Sequence, residues 1–255
     1  MIFVGERINT GFKDIRQAVT DKDPKPLQDW AKKQAEAGAT YLDVNLGAVS
    51  TKPEDMCWMI ETVQEAVDTP ISIDTNKPAI LAEAVKVCKK PPLINSSTAA
   101  PEKMEAFLPV VAECEGSIIG LAMDAGGTPK TADARVEKAG MFIATAMEQG
   151  IPPERIFLDP IVMPLKFMQE QAQEILEAAR QFTLFSDPAP HIICGLSNVS
   201  NGTTHKKLIN RTFLTMLINN GCDAAICDVL DTDLVQAAKT AELVMNREIY
   251  ADSYV

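Results

Sequence analysis

The sequence has few residues suited to metal or thiol chemistry. It contains two histidines, His191 and His205, and neither has a cysteine, histidine or carboxylate at a spacing that suggests a zinc site. Its six cysteines include no C-x-x-C pair, and several lie in apolar helix or strand patterns, where a free thiol acts as a small hydrophobic residue. We therefore expect reduced, structural cysteines and no metal ion held by this chain.

Long apolar runs and an excess of positive charge are also missing. No run approaches the ~20 apolar residues that cross a bilayer, so we expect no membrane span. The first residues, MIFVGERIN, lack the basic and apolar regions of a secretory signal and predict a cytoplasmic protein. The formal net charge of −11 argues against a nucleic-acid surface, which needs clustered lysine and arginine.

Glycine-rich nucleotide motifs are absent as well. No G-x-G-x-x-G turn follows a strand, and the Gly126–Gly127 pair lacks P-loop spacing, so an open Rossmann-like sheet is the weaker alternative.

What the chain does contain is a repeat of short buried strands followed by helical patterns. The predicted strands are Ile2–Val4, Tyr41–Val44, Ile71–Ile73, Leu93–Ile94, Ser117–Ala122, Ile156–Leu158, Ile192–Cys194 and Ala224–Cys227.

Eight helical patterns alternate with these strands, and several of them begin with proline, which suits the first helical turn. They are Pro26–Ala37, Pro53–Val67, Pro78–Val87, Pro101–Ala112, Ala132–Gln149, Met168–Phe182, Leu208–Asn219 and Leu234–Met245. A chain of 255 residues with this alternation predicts one α/β domain over residues 1–255, a closed (β/α)8 TIM barrel.

Polar side chains stand where nearly every predicted strand ends. They are Glu6, Asn9, Asp43, Asn45, Asp74, Asn95, Asp124, Asp159, Ser197, Asn198 and Asp228. Any one of them could be an ordinary turn residue, but in a barrel the set converges on one mouth, the usual place for catalytic residues. Carboxylates and amides suit a flat heterocycle such as a pterin or a purine. The alternative, a Mg²⁺ site at Asp74, Asp159 and Asp228, is weaker because the amides are poor partners for that ion.

Six motifs in chain order carry a family resemblance. They are VGERIN from Val4, LDVN from Leu42, SIDTN from Ser72, INSS from Ile94, LDP from Leu158 and GLSNVS from Gly195, joined by LINRTF and the closing IYADSYV. The sequence closely resembles the methyltetrahydrofolate:corrinoid protein methyltransferases, whose pterin-binding barrel is shared with cobalamin-dependent methionine synthase and, more distantly, dihydropteroate synthase.

The resemblance implies a role for each matching residue. Asp74, Asn95 and Asp159 would anchor the pterin, Asn198 would contact N5 as the catalytic amide, and the pocket would also be lined by Gly195 and Ser197. The substrate would be tetrahydrofolate or methyltetrahydrofolate. Relatives carry arginine in the loop after GLSNVS, where this chain has Lys206, so no role is carried over for that position.

Two further absences concern the partner and the acceptor. Neither histidine lies in D-x-H-x-x-G, so cobalamin would be carried by a separate corrinoid protein. No thiolate zinc site for homocysteine is present. The family implies a homodimer that moves a methyl group between N5 and cobalt by direct displacement in either direction. A dihydropteroate synthase-like condensing enzyme and a non-catalytic folate-binding barrel are the alternatives.

Overall fold

The structure is a computed structural model, and it describes residues 1–253. The last two residues of the closing IYADSYV segment, 254–255, therefore lie outside the described part of the chain. Eight β-strands are present: β1 (Ile2–Asn9), β2 (Tyr41–Asn45), β3 (Ile71–Asp74), β4 (Leu93–Thr98), β5 (Ser117–Leu121), β6 (Ile156–Asp159), β7 (His191–Gly195) and β8 (Ala224–Cys227). Each predicted strand is observed, and most extend one or more residues further at their carboxyl ends.

The strands form one closed barrel in which each strand pairs in parallel with its neighbours in sequence, and β1 closes the circle by pairing with β8. Their short apolar runs are buried, as expected for parallel strands covered on both faces. The predicted (β/α)8 barrel is thus confirmed. Because all strands are parallel, their carboxyl ends lie at one end of the barrel, which is called the mouth here.

Two strands are irregular near the mouth. Between Gly5 and Ile8, β1 advances three residues while β2 advances two, so β1 contains a bulge at Glu6–Arg7. In the same way, β4 has a bulge between Ile94 and Ser97, which includes Asn95. A bulge adds one residue to one strand and redirects side chains locally.

Nine α-helices surround the barrel in residues 1–253, one more than the sequence predicts. They are α1 (Lys13–Asp21), α2 (Lys25–Glu36), α3 (Pro53–Ala66), α4 (Pro78–Ala84), α5 (Pro101–Glu113), α6 (Ala132–Glu148), α7 (Gln171–Phe182), α8 (Lys206–Asn219) and α9 (Thr232–Val244). Proline occupies the first turn of α3, α4 and α5, as predicted. No helix within the described residues is long and apolar enough to span a bilayer.

The helix that the sequence analysis missed, α1, is attached to the barrel through Arg7. The Arg7 guanidinium lies 4.0 Å from the centre of the Phe12 ring and 4.1 Å from that of Trp30. It also forms an ion pair with Asp14 at 2.7 Å. Ile15, in the first turns of α1, is fully buried. The helix is therefore stabilised by contacts with Arg7 and Trp30, outside the helix, as well as by its own short apolar stripe.

Candidate active site

The barrel interior changes character along its axis. Its lower layer, the apolar plug, is a separate cluster of buried side chains: Val4, Leu93, Ile119, Phe157, Ile193 and Ala224. Side chains alternate between the two faces of a strand, so the next inward position lies two residues further along. On three strands that position carries a polar side chain, namely Glu6, Asn95 and Asp159. Together with Asp43, Asn45 and Asp74 these residues form the layer that we call the acidic cup.

Asp43 is the best connected member of the cup. Its carboxylate accepts hydrogen bonds from Ser72 Oγ at 2.6 Å and from Asn95 Nδ2 at 3.1 Å. Asn45 Nδ2 donates to Asp74 on the neighbouring strand. Ser72 lies two residues before Asp74 on β3 and therefore faces the same side of that strand. These bonds join the ends of β2, β3 and β4 in one polar network.

The two carboxyl groups of this network share a hydrogen bond and are shifted in their acidity. Burial raises the pKa of Asp43, and the nearby negative charge of Asp74 raises it further. Burial also raises the pKa of Asp74, while hydrogen bonds from Asn45 and Asp43 oppose the rise. Two acids this close cannot both ionise without a large cost, so the pair favours a proton shared between Asp43 and Asp74.

Asp159 is the cup residue supplied by β6, and it is almost completely buried, with 7% of its surface exposed. Burial raises its pKa to about 6, although backbone N–H groups of Ile161 and Gly195 stabilise the charged form. The Ile161 N–H lies 2.6 Å from Asp159 Oδ1. Ile161 itself has φ of +66°, a left-handed conformation that is strained for a β-branched residue.

A buried arginine holds this strained turn. Arg135, in the first turns of α6, is fully buried and donates from Nε to the carbonyl of Pro160 at 2.8 Å. Its Nη2 donates to Gln171 Oε1, also at 2.8 Å. Because Pro160 lies between Asp159 and Ile161, the guanidinium fixes the backbone on which the Asp159 carboxyl is carried.

The turn after β7 brings Ser197 and Asn198 to the mouth. Residues Leu196–Ser200 form a 3-10 helix, and Ser197 Oγ donates to Glu6 Oε1 at 2.7 Å. Asn198 is exposed, and its side-chain Nδ2 would lie 3.0 Å from a β-carbon built on Gly195. Any side chain at Gly195 would therefore crowd the Asn198 amide, which explains why a glycine suits that position.

Not every polar residue predicted at a strand end belongs to the cup. Asp124 lies three residues beyond the end of β5, where its carboxylate pairs with Lys138 at 3.0 Å. Asp228 is exposed and accepts from the backbone N–H of Leu230 at 3.1 Å. The six residues that we singled out, Asp74, Asn95, Asp159, Gly195, Ser197 and Asn198, all lie in or beside the cup, and their roles remain predictions.

Two groups that support the cup, Ser72 and Arg135, are not among the site residues that the sequence predicts. Ser72 could have been identified because it precedes Asp74 by two residues and so shares its face, whereas no local pattern connects Arg135 with Pro160.

Within residues 1–253, no group of three or more histidine, cysteine, aspartate or glutamate side chains is placed to hold a metal ion. All six cysteines are free thiols.

Comparison with known proteins gives concordant matches. Residues 5–228 match the family described as pterin binding enzyme. The chain is 34% identical over 262 residues to the methylcorrinoid:tetrahydrofolate methyltransferase of Eubacterium limosum, an alignment that covers 100% of this chain and 94% of that protein. It is 28% identical over 240 residues to methionine synthase of Mycobacterium tuberculosis, covering 89% of this chain but only 20% of the larger protein.

Solved structures with the same fold include dihydropteroate synthases. The enzyme from Clostridium difficile, solved in the presence of pteroic acid, has a TM-score of 0.68 at 18% identity and covers 95% of this chain and 96% of its own. The enzyme from Coxiella burnetii has a TM-score of 0.69 at 14% identity, covering 97% and 94%. At these identities the likeness concerns the fold alone.

Proposed function

The chain belongs to the pterin binding enzymes, and we propose that it is a methyltransferase acting between N5 of tetrahydrofolate and the cobalt of a corrinoid carried by another protein. The proposal is supported by the 34% identity, over the full chain, to a methylcorrinoid:tetrahydrofolate methyltransferase. The observation that carries it is the acidic cup at the barrel mouth, with the Asn198 amide on its rim.

We assign pterin binding to Asp74, Asn95 and Asp159. A pterin edge presents adjacent N–H donors beside ring-nitrogen acceptors, so carboxylates can accept parallel bonds while an amide both donates and accepts. Asp74 is held by Asn45, and Asn95 is held by Asp43, which fixes both groups before substrate binds. Gly195 and Ser197 would line the remaining wall beside Asn198. With the pterin seated in the cup, N5 must face the open mouth for its methyl group to be exchanged.

The reaction that we propose is a direct displacement. In one direction the bond between N5 and the methyl carbon breaks as the methyl group moves to cobalt, and N5 takes up a proton. In the other direction N5 attacks the methyl group, the electron pair of the broken bond stays on cobalt, and the proton on N5 is lost. Microscopic reversibility requires one site for both directions.

Asn198 is the residue that we propose acts on N5. Its amide oxygen can accept a hydrogen bond from protonated N5, and its NH2 group can donate to unprotonated N5. The amide cannot itself supply a proton, so the proton comes through water. An interaction that strengthens as charge develops on N5 lowers the barrier more than it tightens substrate binding.

Single-turnover methyl transfer, followed by cobalamin absorbance, tests both the function and this residue. Wild-type protein should transfer methyl between methyltetrahydrofolate and cob(I)alamin, and Asn198→Ala should be slower by on the order of 10²–10³, by analogy with oxyanion donors. Calorimetric affinity of Asn198→Ala for tetrahydrofolate should stay close to that of the parent.

Asn198→Asp separates chemistry from turn formation, because aspartate keeps the turn propensity but loses the NH2 group. It should be nearly as slow as Asn198→Ala. A fast aspartate variant would exclude the NH2 group and leave Asn198 as a turn residue or as an oxygen acceptor for protonated N5. Wild-type protein that binds tetrahydrofolate but transfers no methyl group in either direction would instead identify a folate-binding barrel.

We further propose that the working form is a cytoplasmic homodimer of single-domain subunits spanning residues 1–255. The family resemblance supports the dimer, and the six free thiols fit a reducing compartment. The corrinoid protein would dock over the mouth, since the cobalt has to approach N5. Sedimentation at micromolar concentration should show a dimer, and a monomer there would contradict the assembly without touching the catalytic assignment.

A further inference from the structure

We propose that Glu6 is a positioning residue that holds the Leu196–Ser200 turn, and with it Asn198, through its hydrogen bond with Ser197. The inference rests on the proposed function, because it assigns Glu6 to the reaction through the turn that carries Asn198. It concerns a carboxyl group of the cup to which the proposed pterin binding assigns no role.

The first observation is the bulge in β1. Only β1 and β4 show a register shift toward their neighbours among the described strands, and the two shifts lie at Glu6–Arg7 and around Asn95. In β4 the bulge is next to an inward amide that bonds Asp43 in the cup. Bulges of this kind commonly redirect a side chain beside an active site, and the one in β1 lies where Glu6 turns toward β7.

The second observation is how little stabilises the Glu6 carboxyl. Within residues 1–253, its one hydrogen bond comes from Ser197 Oγ, at 2.7 Å, and it has no ion pair. The titratable groups that face it are Asp43, Asp228 and Cys227, and none of them supplies a positive charge. Burial raises the pKa of Glu6. A half-buried carboxyl that lies beside other acids and has one hydrogen bond contributes little to stability, so stability does not account for it.

The third observation is what the bond connects. Glu6 and Ser197 are separated by 191 residues, and β8 lies between β1 and β7 in the barrel. The bond therefore crosses the end of β8 and attaches the turn after β7 to β1. Inside the turn, the Ser197 carbonyl accepts from Ser200 Oγ at 3.3 Å, so the turn is restrained on both sides of Asn198.

The consequence for Asn198 follows from its exposure. The Asn198 side chain has one weak hydrogen-bond contact in the described residues, from Asn201 Nδ2 at 3.4 Å. Its direction is thus set by the turn. Small displacements of a reacting or hydrogen-bonding group can cost on the order of 10²-fold in rate, so releasing the turn should affect transfer rather than substrate affinity.

The test compares Glu6→Ala, Glu6→Gln and Ser197→Ala with wild type in single-turnover methyl transfer at several pH values. Glu6→Ala and Ser197→Ala should each be slower by about 10–100-fold, and the tetrahydrofolate affinity of Glu6→Ala should stay within about twofold of the parent. Glu6→Gln should recover most of the rate across the pH range, because its amide oxygen still accepts from Ser197. The Glu6→Ala/Ser197→Ala double variant should be no slower than the slower single variant.

Two outcomes would overturn the inference. Wild-type rates in Glu6→Ala or Ser197→Ala would remove the positioning role while leaving the methyltransferase assignment in place. A Glu6→Gln variant as slow as Glu6→Ala, with a changed pH profile, would assign Glu6 to proton transfer instead.

A readout independent of activity is the side-chain NH2 signal of Asn198 in nitrogen-15 NMR, assigned by its loss in Asn198→Asp. It should shift or broaden in Glu6→Ala and Ser197→Ala and stay near its wild-type position in Glu6→Gln. An unchanged signal in all three variants contradicts the inference even if the wild-type protein transfers no methyl group.

Discussion

The apolar plug and the acidic cup share the strands β1, β4 and β6, on which their side chains lie two residues apart, yet burial has opposite consequences in the two layers. In the plug, Val4, Ile119 and Ile193 are completely buried and need no partner beyond their neighbours. In the cup, Asp43 and Asp159 are almost as buried, but each requires hydrogen bonds and has a raised pKa. Burial stabilises the fold at the closed end and destabilises charged groups at the open end.

The largest effect is expected for the free energy of unfolding when a side chain of the apolar plug is truncated. Phe157 is 2% exposed and stacks on His191 with ring centres 4.5 Å apart. Phe157→Ala should lower the free energy of unfolding by about 3–5 kcal/mol in urea titrations. Phe157→Leu, which keeps an apolar side chain there, should lose less. Tetrahydrofolate affinity of the folded Phe157→Ala protein should be unchanged, and a strong loss of affinity would mean that the plug and the cup are not separate.

A truncation in the acidic cup should instead weaken substrate binding and leave the stability of the fold almost unchanged. Asp74→Ala removes charge-assisted hydrogen bonds to the pterin and should weaken tetrahydrofolate binding by about 1.5–3 kcal/mol in calorimetry, with little loss of stability. Asp124→Ala is the matched control, because Asp124 also follows a strand but pairs with Lys138 outside the cup. Equal affinities in the two variants would reject the assignment of Asp74.

The smallest expected effect is a gain in stability from neutralising Asp159. Its folded pKa of about 6 lies above the ordinary aspartate value of 3.8, so the stability it contributes is complete below about pH 4 and is lost as pH rises through 6. Asp159→Asn, which keeps the acceptor for Ile161, should therefore raise the free energy of unfolding at pH 7 by about 1–3 kcal/mol. Near pH 4 the gain should disappear, and Asp124→Asn should show none. A less stable Asp159→Asn protein at pH 7 would contradict the raised pKa.

The strands and most helices could be predicted because their determinants are local. Short apolar runs bounded by turn residues identified all eight strands, but β1 ends at Asn9 rather than Val4. Its last residues, which include Glu6 and Arg7, are too polar to resemble a buried strand and are paired only because the barrel closes around them. Helix α1 was missed for a related reason, since it has nine residues and depends on Arg7.

The cup was predictable as a set of strand-end polar residues but not in its connections. Asp74 and Asp159 are the last residues of their strands, whereas Asp124 lies beyond β5; a reliable strand boundary would have separated them. The bonds from Asn95 to Asp43 and from Ser197 to Glu6 span 52 and 191 residues. Such pairs depend on the register of the barrel and on the two bulges. No local sequence pattern predicts either of these.

The inward and outward alternation of side chains along the regular strands also decides which insertions, deletions and substitutions the barrel can accommodate. Since alternate residues face inward, loss of a single residue within a regular strand exchanges its inner and outer side chains. Deleting Ile73 from β3, for example, would turn either Ser72 or Asp74 out of the interior and break the bonds to Asp43 or Asn45. A change of length in the Asp124–Gly127 turn would disturb neither layer. Related sequences should therefore differ from this one by substitutions within the strands, and by insertions or deletions only between the strands.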